Sequence, residues 1–452
     1  MKFAFPILRM NWYRVMATTI DAALAAGHEV ECWHSVGGSH WASNRPCRER
    51  LPRFRHGAPA ICDYDSDEAF LRLLDERRPD SVFSLCIPWS DAVCRRFRGT
   101  ETRPFWTTLA TNDSFVGDVP PDRMAAHGLI ALRTAHEENC LVDDHVADVR
   151  PLLARMEAEP GRHGVQQIKL MKDRVARPWS AAAIAHFRAH AVRTGYPLLD
   201  SAQGIDGAEV RRRWGLPETG PIVGCLASPY GAVLDAPWEK AFAAGTRRGR
   251  LYWNWKNKGW RGVAAPDPGE PQVMRALKRF AENNGAPLVV KMRHTQDAAP
   301  WMRKLADRIV GEESYYPHSA VELAAISAVM FGFFTTGAPE AVAAGHPFVN
   351  LGIPGYNREV WERLASMFVG LFDQPGAAWT FGAGEWIRRA PEMSLADFAL
   401  DPAARRAYAH RFCGPLDGRH SARVVRAAER VASGVRPADL PRDADGYLEL
   451  GP

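Results

Sequence analysis

The 452-residue sequence predicts an α/β chain of two doubly wound halves. Three observations predict it. Short apolar runs alternate with stretches of helical length, the pattern of a parallel sheet covered by helices. The alternation runs once from the N-terminus and starts again after residue 215. The length suits two such units at roughly 100–200 residues each. A hydrophobic content of 46% with 24% charged residues excludes a disordered chain, a collagen-like chain and a small disulfide scaffold.

The elements follow in order. KFAFPIL is an apolar strand, and NWYRVMATTIDAALAAG is a helix stopped at Gly27. HEVECW is the second strand, ending at Trp33, and completes a βαβ start. The loop after the first strand then lies at the carboxyl edge of a parallel sheet, where ligands bind in such folds. DEAFLRLLDERRPD is a helix, SVFSLCI a strand and PFWTTLA a further strand. In the second cycle PIVGCLAS is a strand, VMRALKRFAENNG helical and PLVVKMRH a strand with a charged end. WMRKLADRIV and HSAVELAAIS read as helices, AVMFGFF as a buried strand and FVNLG as the next. Residues 355–404 are poorly periodic, 402–433 are helical pieces interrupted by CGPLDGRH, and PADLPRDADGYLELGP reads as a loose tail.

Charge and cysteine usage bound the partners. The 57 basic residues exceed the 52 acidic ones by a net charge of +5, too little for a nucleic-acid footprint. No apolar run reaches the ~20 residues that span a bilayer. The N-terminus lacks the h-region and cleavage site of a signal peptide. Eight scattered cysteines, with no CxxC pair, fit a reducing cytoplasm. No His or carboxylate cluster has metal-ligand spacing, so no metal site is expected; no cofactor is expected either.

The densest chemistry lies at 329–352, VMFGFFTTGAPEAVAAGHPFVNLG. An apolar strand runs into Thr335-Thr336-Gly337, and a helix starts near Pro339, a residue suited to a first helical turn. N–H groups there can receive a phosphate. Glu340, in the first turn, can accept from two sugar hydroxyls or simply complement the helix dipole.

This stretch resembles the nucleotide-binding corner of GT-B glycosyltransferases and of the related UDP-N-acetylglucosamine 2-epimerases. The resemblance gives the diphosphate to Thr335, Thr336 and Gly337 and the ribose to Glu340, with Gly345-His346-Pro347 as the helix exit. The turn departs from the family in having Thr-Thr-Gly-Ala where Ser/Gly-Gly is usual. Three other stretches agree. Thr194-Gly195-Tyr196-Pro197-Leu198-Leu199-Asp200 resembles the TGxPxxD segment that ends the first domain of surface-carbohydrate and CDP-glycerol transferases. Val289-Val290-Lys291-Met292-Arg293-His294 resembles their vvKxHP strand end, without the Pro. Gly414-Pro415-Leu416-Asp417-Gly418, with Arg423-Val424, resembles the closing GPxDGxxxxRV of capsule and teichoic-acid enzymes. These cover roughly residues 190–430; over 1–190 the likeness is architectural.

The implied fold is GT-B: two Rossmann-like doubly wound domains facing a cleft, with C-terminal helices crossing back. The expected division is an acceptor domain over 1–197, a nucleotide-donor domain over 198–375, a returning helical segment over 376–434 and a tail over 435–452. Lys291, Arg293 and His294 would face the leaving diphosphate. Tyr316-Pro317-His318 corresponds to the base-binding loop, with Tyr316 stacked on the base, or is a plain turn capped at Ser319. Ser228 and Tyr230 would wall the cleft. The general base would come from the first domain. His163-Gly164 resembles the HG element of the glycerophosphotransferases, at a shorter spacing than the family's. His127-Gly128 is a second such pair, and Asp113 and His34 lie at sheet edges. The aromatic and basic RLYWNWKNKGWRG (250–262) suits sugar stacking, an anionic membrane surface or a packed hairpin.

The expected activity is transfer of a sugar from a UDP-, GDP-, TDP- or CDP-activated donor to a glycan, lipid-linked or small-molecule acceptor, in surface polysaccharide or glycoconjugate synthesis. The alternatives are a CDP-glycerol-type glycerophosphotransferase, a UDP-sugar 2-epimerase and a non-catalytic nucleotide-sugar-binding protein. The expected location is cytoplasmic, with peripheral contact at the inner membrane face as a variant.

Overall fold

In the computed structural model, the residues described are 1–37, 44–85, 89–98, 104–109, 121–146, 148–158, 172, 175, 179–227, 251, 270–292, 298–311, 315–333, 335–352 and 369–451. Of residues 121, 122 and 144–146 only the backbone is described. The first sheet contains β1 (Lys2–Ile7), β2 (Glu29–Ser35), β3 (Ala60–Tyr64), β4 (Ser81–Ser84), β5 (Phe105–Leu109), β6 (His127–Leu132) and β7 (Ala191–Arg193). The second contains β8 (Val223–Leu226), β9 (Leu288–Lys291), β10 (Arg308–Val310), β11 (Val329–Gly332), β12 (Phe348–Leu351) and β13 (Ala378–Phe381). All pairings are parallel, in the orders β3-β2-β1-β4-β5-β6-β7 and β10-β9-β8-β11-β12-β13. In each sheet the strand order reverses once, between β1 and β4 and between β8 and β11. In an open parallel sheet, the carboxyl ends of strands at such a reversal form the ligand crevice.

The helices of the first half are α1 (Tyr13–Ala25), α2 (Asp67–Arg77), α3 (Asp91–Phe97), α4 (Pro121–Met124), α5 (Ala135–Val146), α6 (Arg150–Ala158) and α7 (Ala181–His190). Those of the second are α8 (Gly207–Arg213), α9 (Glu270–Asn283), α10 (Pro300–Leu305), α11 (Ser319–Ile326), α12 (Ala338–Ala344), α13 (Ala383–Arg389), α14 (Pro402–Phe412) and α15 (His420–Ala432). Local chemistry starts several of them. Ser66, Ser90, Ser180, Asp206 and Asp401 each accept a backbone N–H of the first turn of the helix that follows.

Strands buried on both faces explain why the sequence shows continuous apolar runs. One apolar core passes from β1 and α1 through Leu198 and Leu199 into α11, α12, α14 and α15, so the two halves share it. A second core fills the outer face of the second sheet around Phe280, Phe331 and Trp386. Two smaller clusters pack on the first sheet.

Three sequence expectations change. The predicted helix WMRKLADRIV ends at Leu305, and Arg308–Val310 is the edge strand β10. Asp307 ends the helix: its carboxylate accepts from Leu288 N at 2.7 Å and from Lys278 Nζ, which pins the chain beside β9. Residues 376–434 do not form one returning segment, because β13 is the edge strand of the second sheet and only α14 and α15 lead back. The tail is docked. Leu448 N donates to Arg193 O at 3.0 Å, covering the edge of β7, and Tyr447 and Leu448 are buried.

Candidate functional site

The carboxyl edges of the two sheets meet at the strand-order reversals. On the first half, β1 leads through residues 8–12 into α1, whose first turn carries Tyr13 and Arg14. On the second, β11 leads through Thr335, Thr336 and Gly337 into α12, whose first turn carries Glu340. Gly337 is there for space. A Cβ on it would lie 2.2 Å from Leu226 Cδ1 at the end of β8, so any larger residue here would have to push that leucine side chain aside. Thr335 shapes the turn by accepting Gly337 N on its hydroxyl at 3.3 Å.

Glu340 is 1% exposed and is not open to solvent. Its Oε1 accepts from Arg14 Nη2, an ion pair joining the two halves. Glu340 Oε2 is buried with no hydrogen-bond partner among the described residues. A buried carboxylate with one oxygen unpaired is costly to hold. Lys291 ends β9 next to Leu226, buried, and donates to Met292 O at 2.8 Å.

Tyr316 reaches across the same boundary. Its hydroxyl donates to Asp21 Oδ2 on α1 at 2.7 Å, and Arg55 lies over its ring at 5.4 Å. Burial, then the Asp21 contact, pushes the phenol pKa above its ordinary value. Arg50 donates to the hydroxyl of Tyr315. Asp21 also accepts Arg55 N and His56 N, at 2.8 and 3.0 Å, so one carboxylate ties the loop after β2 to the second half. The neighbouring turn is capped by His318, not by Ser319: the buried imidazole of His318 accepts Ala320 N at 3.3 Å.

Of the expected site residues, Thr335, Thr336, Gly337, Glu340, Lys291, Tyr316 and His318 all lie at the carboxyl edge of the second sheet. His127 is placed elsewhere. It opens β6 at the amino edge of the first sheet, 2% exposed, with Nδ1 bonded to Thr108 Oγ1 at 2.7 Å. Burial, reinforced by His186 and His190, lowers its pKa to about 3. Its environment is that of a core residue, away from the reversal. His34 ends β2 at the carboxyl edge, bonded to the hydroxyl of buried Tyr13 at 2.7 Å, and burial lowers its pKa to about 4. His163, Asp113, Arg293, His294, Ser228, Tyr230 and the Trp-rich 252–262 lie outside the described residues.

Sequence reasoning missed Arg14 and Asp21. Both sit in an otherwise small and apolar helix, YRVMATTIDAALA, where an isolated charge on the buried face signals a distant partner. Among the described residues no group of three or more His, Cys, Asp or Glu side chains could hold a metal ion. No described helix is long and apolar enough to cross a membrane, and the described cysteines are free thiols.

Two motifs separated by more than 200 residues interlock. Gly195 and Gly414 both have positive φ and touch backbone to backbone; a Cβ on Gly414 would lie 2.7 Å from Gly195 Cα. Tyr196 N donates to Cys413 O, and His420 Nδ1 bonds Tyr196 O at 2.8 Å. Asp200 accepts His420 N and Ser421 N, which caps α15 from outside the helix. Asp417 accepts from Arg423 in the same knot.

No family model matches the chain, and no curated protein matches it by sequence. In three dimensions it is similar to the wall teichoic acid polymerase TagF, at a TM-score of 0.53 and 8% identity over 96% of this chain and 89% of that one. S. aureus MnaA, solved with UDP, gives 0.49 and 12% over 97% and 100%. The glycosyltransferase SnogD from Streptomyces nogalater gives 0.46 and 13% over 95% and 99%. The two reversed sheets, their facing carboxyl edges and the likeness to the polymerase agree: the chain has the GT-B fold, two Rossmann-like domains joined again by helices that return from the second to the first.

Proposed function

We propose that the chain is a glycosyltransferase that binds a nucleotide-activated sugar on its second half and an acceptor hydroxyl on its first. The observation that supports it most is the position of Glu340, a carboxylate in the first turn after β11, beside the strand-order reversal and opposite that of the other half. A carboxylate there can accept two vicinal ribose hydroxyls. Lys291, at the end of β9 on the far side of β8, and Arg293 and His294 beyond it supply charge for a departing diphosphate, together with N–H groups near Thr336. Tyr316, His318, Ser228 and Tyr230 complete the donor side.

A base from the first half, His163 or Asp113, takes the proton of the acceptor hydroxyl. The acceptor oxygen then bonds to the sugar carbon as the bond to the diphosphate breaks, and the nucleoside diphosphate leaves with that electron pair. Contact between the halves keeps water from the donor. The test is incubation with UDP-, GDP-, TDP- and CDP-activated sugars and acceptor hydroxyls, reading released nucleotide. Acceptor-dependent release supports the reading. Binding of nucleotide with no turnover against any acceptor argues for a non-catalytic binder, and no binding at all overturns it.

One observation favours a second reading, a CDP-glycerol-type glycerophosphotransferase. The TGYPLLD and GPLDG segments, which resemble those enzymes, form one interlocked structure. The similar polymerase has also been solved after soaking with CDPG. Consumption of CDP-glycerol with no sugar nucleotide turned over decides for this reading.

A further inference from the structure

Both residues that the donor reading needs on the nucleotide side, Glu340 and Tyr316, are held by the other half, and by one helix. Arg14 and Asp21 are separated by two turns of α1 and so lie on one face of it. Arg14, 28% exposed in its side chain, pairs with Glu340, which is 1% exposed. Asp21 accepts the hydroxyl of Tyr316 at 2.7 Å. The first contact is incompletely satisfied, since Glu340 Oε2 and Arg14 Nε are both buried and neither has a hydrogen-bond partner among the described residues.

We propose that α1 is a bar across the donor turns: the arrangement described is a self-occluded one, in which Arg14 and Asp21 hold the residues that a ribonucleotide must reach. This rests on the donor-site reading above. With Oε2 wholly covered, a ligand hydroxyl reaches Glu340 only when α1 and α12 move apart, and that movement breaks the pair. Removing the guanidinium strands a buried carboxylate in the occluded arrangement, which is unfavourable, whereas parting the helices lets water solvate it. The equilibrium therefore moves toward the parted arrangement, and apparent ligand affinity rises with its population.

The test uses the full chain with Arg14→Met, which keeps an apolar stem, and Tyr316→Phe, which keeps the ring and loses only the hydroxyl. Two quantities are read: amide hydrogen exchange over residues 315–321 and 338–344 without nucleotide, and calorimetric binding of UDP, GDP, CDP and TDP. Faster exchange in both segments, with dissociation constants lowered about tenfold in Arg14→Met and less in Tyr316→Phe, is expected. Exchange unchanged in both variants, or nucleotide bound by the native chain and no more tightly by either variant, overturns the proposal. Faster exchange with no nucleotide bound by any of the three proteins supports the bar and overturns the donor reading instead.

Discussion

The carboxylate of Asp200 accepts the backbone N–H of Ser421 at 2.6 Å, although 221 residues separate them. With His420 N as its second donor, Asp200 caps a thirteen-residue helix that has no side-chain cap of its own. Replacing Asp200 with Ala leaves two N–H groups of α15 unpaired and removes a negative charge from the positive end of the helix. The expected loss is about 1–2 kcal/mol in urea unfolding. Asp200→Asn, which keeps an acceptor oxygen, should recover part of it. An unchanged midpoint in Asp200→Ala would show that the cap carries no stability.

Gly337→Ala should destabilise the chain, because the added Cβ would approach Leu226 Cδ1 to 2.2 Å. An overpacked contact of this kind typically costs about 1–3 kcal/mol. The double variant Gly337→Ala/Leu226→Val trims the clashing branch and should regain most of the lost thermal stability. If the single variant melts like the native chain, α12 does not press on β8 as described.

Acid should unfold the protein through its buried histidines. The folded pKa values of His34 and His127 are lowered to about 4 and about 3, chiefly by burial, so both are neutral in the fold. Their contribution is fully present above the ordinary imidazole value near 6.5 and is lost as pH falls from there toward 4 and 3. Between those limits each histidine costs about 1.4 kcal/mol of stability per pH unit. Urea midpoints measured at pH 7, 6, 5 and 4 give the slope, and His127→Asn should make it shallower. A flat profile from pH 7 to 4 would mean the imidazoles are solvated.

Glu340→Ala should weaken nucleoside diphosphate binding, and Arg293→Ala should leave binding nearly intact while lowering turnover by roughly 10²-fold, the size of one lost charge-stabilising donor. Calorimetry and a nucleotide-release assay separate the two. Equal affinity and equal rate in both variants would remove these residues from the donor site.

The sheets were legible because central parallel strands are apolar along their whole length, as in AVMFGFF and PLVVKM, and no other element of that length looks the same. Edge strands were not. Arg308–Val310 is three residues long and half-solvated, and its identity comes from Asp307 bonding back to β9, not from pattern. The tail misled for a related reason: most of its polar residues face water, while the scattered Pro437, Leu440, Tyr447 and Leu448 are buried and dock it. On the candidate site, the turn and Glu340 stood out as a local strand–turn–helix motif. Arg14 and Asp21 did not, because their partners lie 326 and 295 residues away and only the folded chain brings them within reach.

The backbone contact between Gly195 and Gly414 has a mechanical consequence. Among the described residues the polypeptide passes between the halves twice, once outward after Tyr196 and once back before His420, and the two passages are fastened to each other at this point. Two separate tethers would allow the halves to slide, twist and part in several directions. Fastened together they leave one pivot, so any parting of the halves would be confined to nearly a single arc, and the faces that met again at its end would be the same ones.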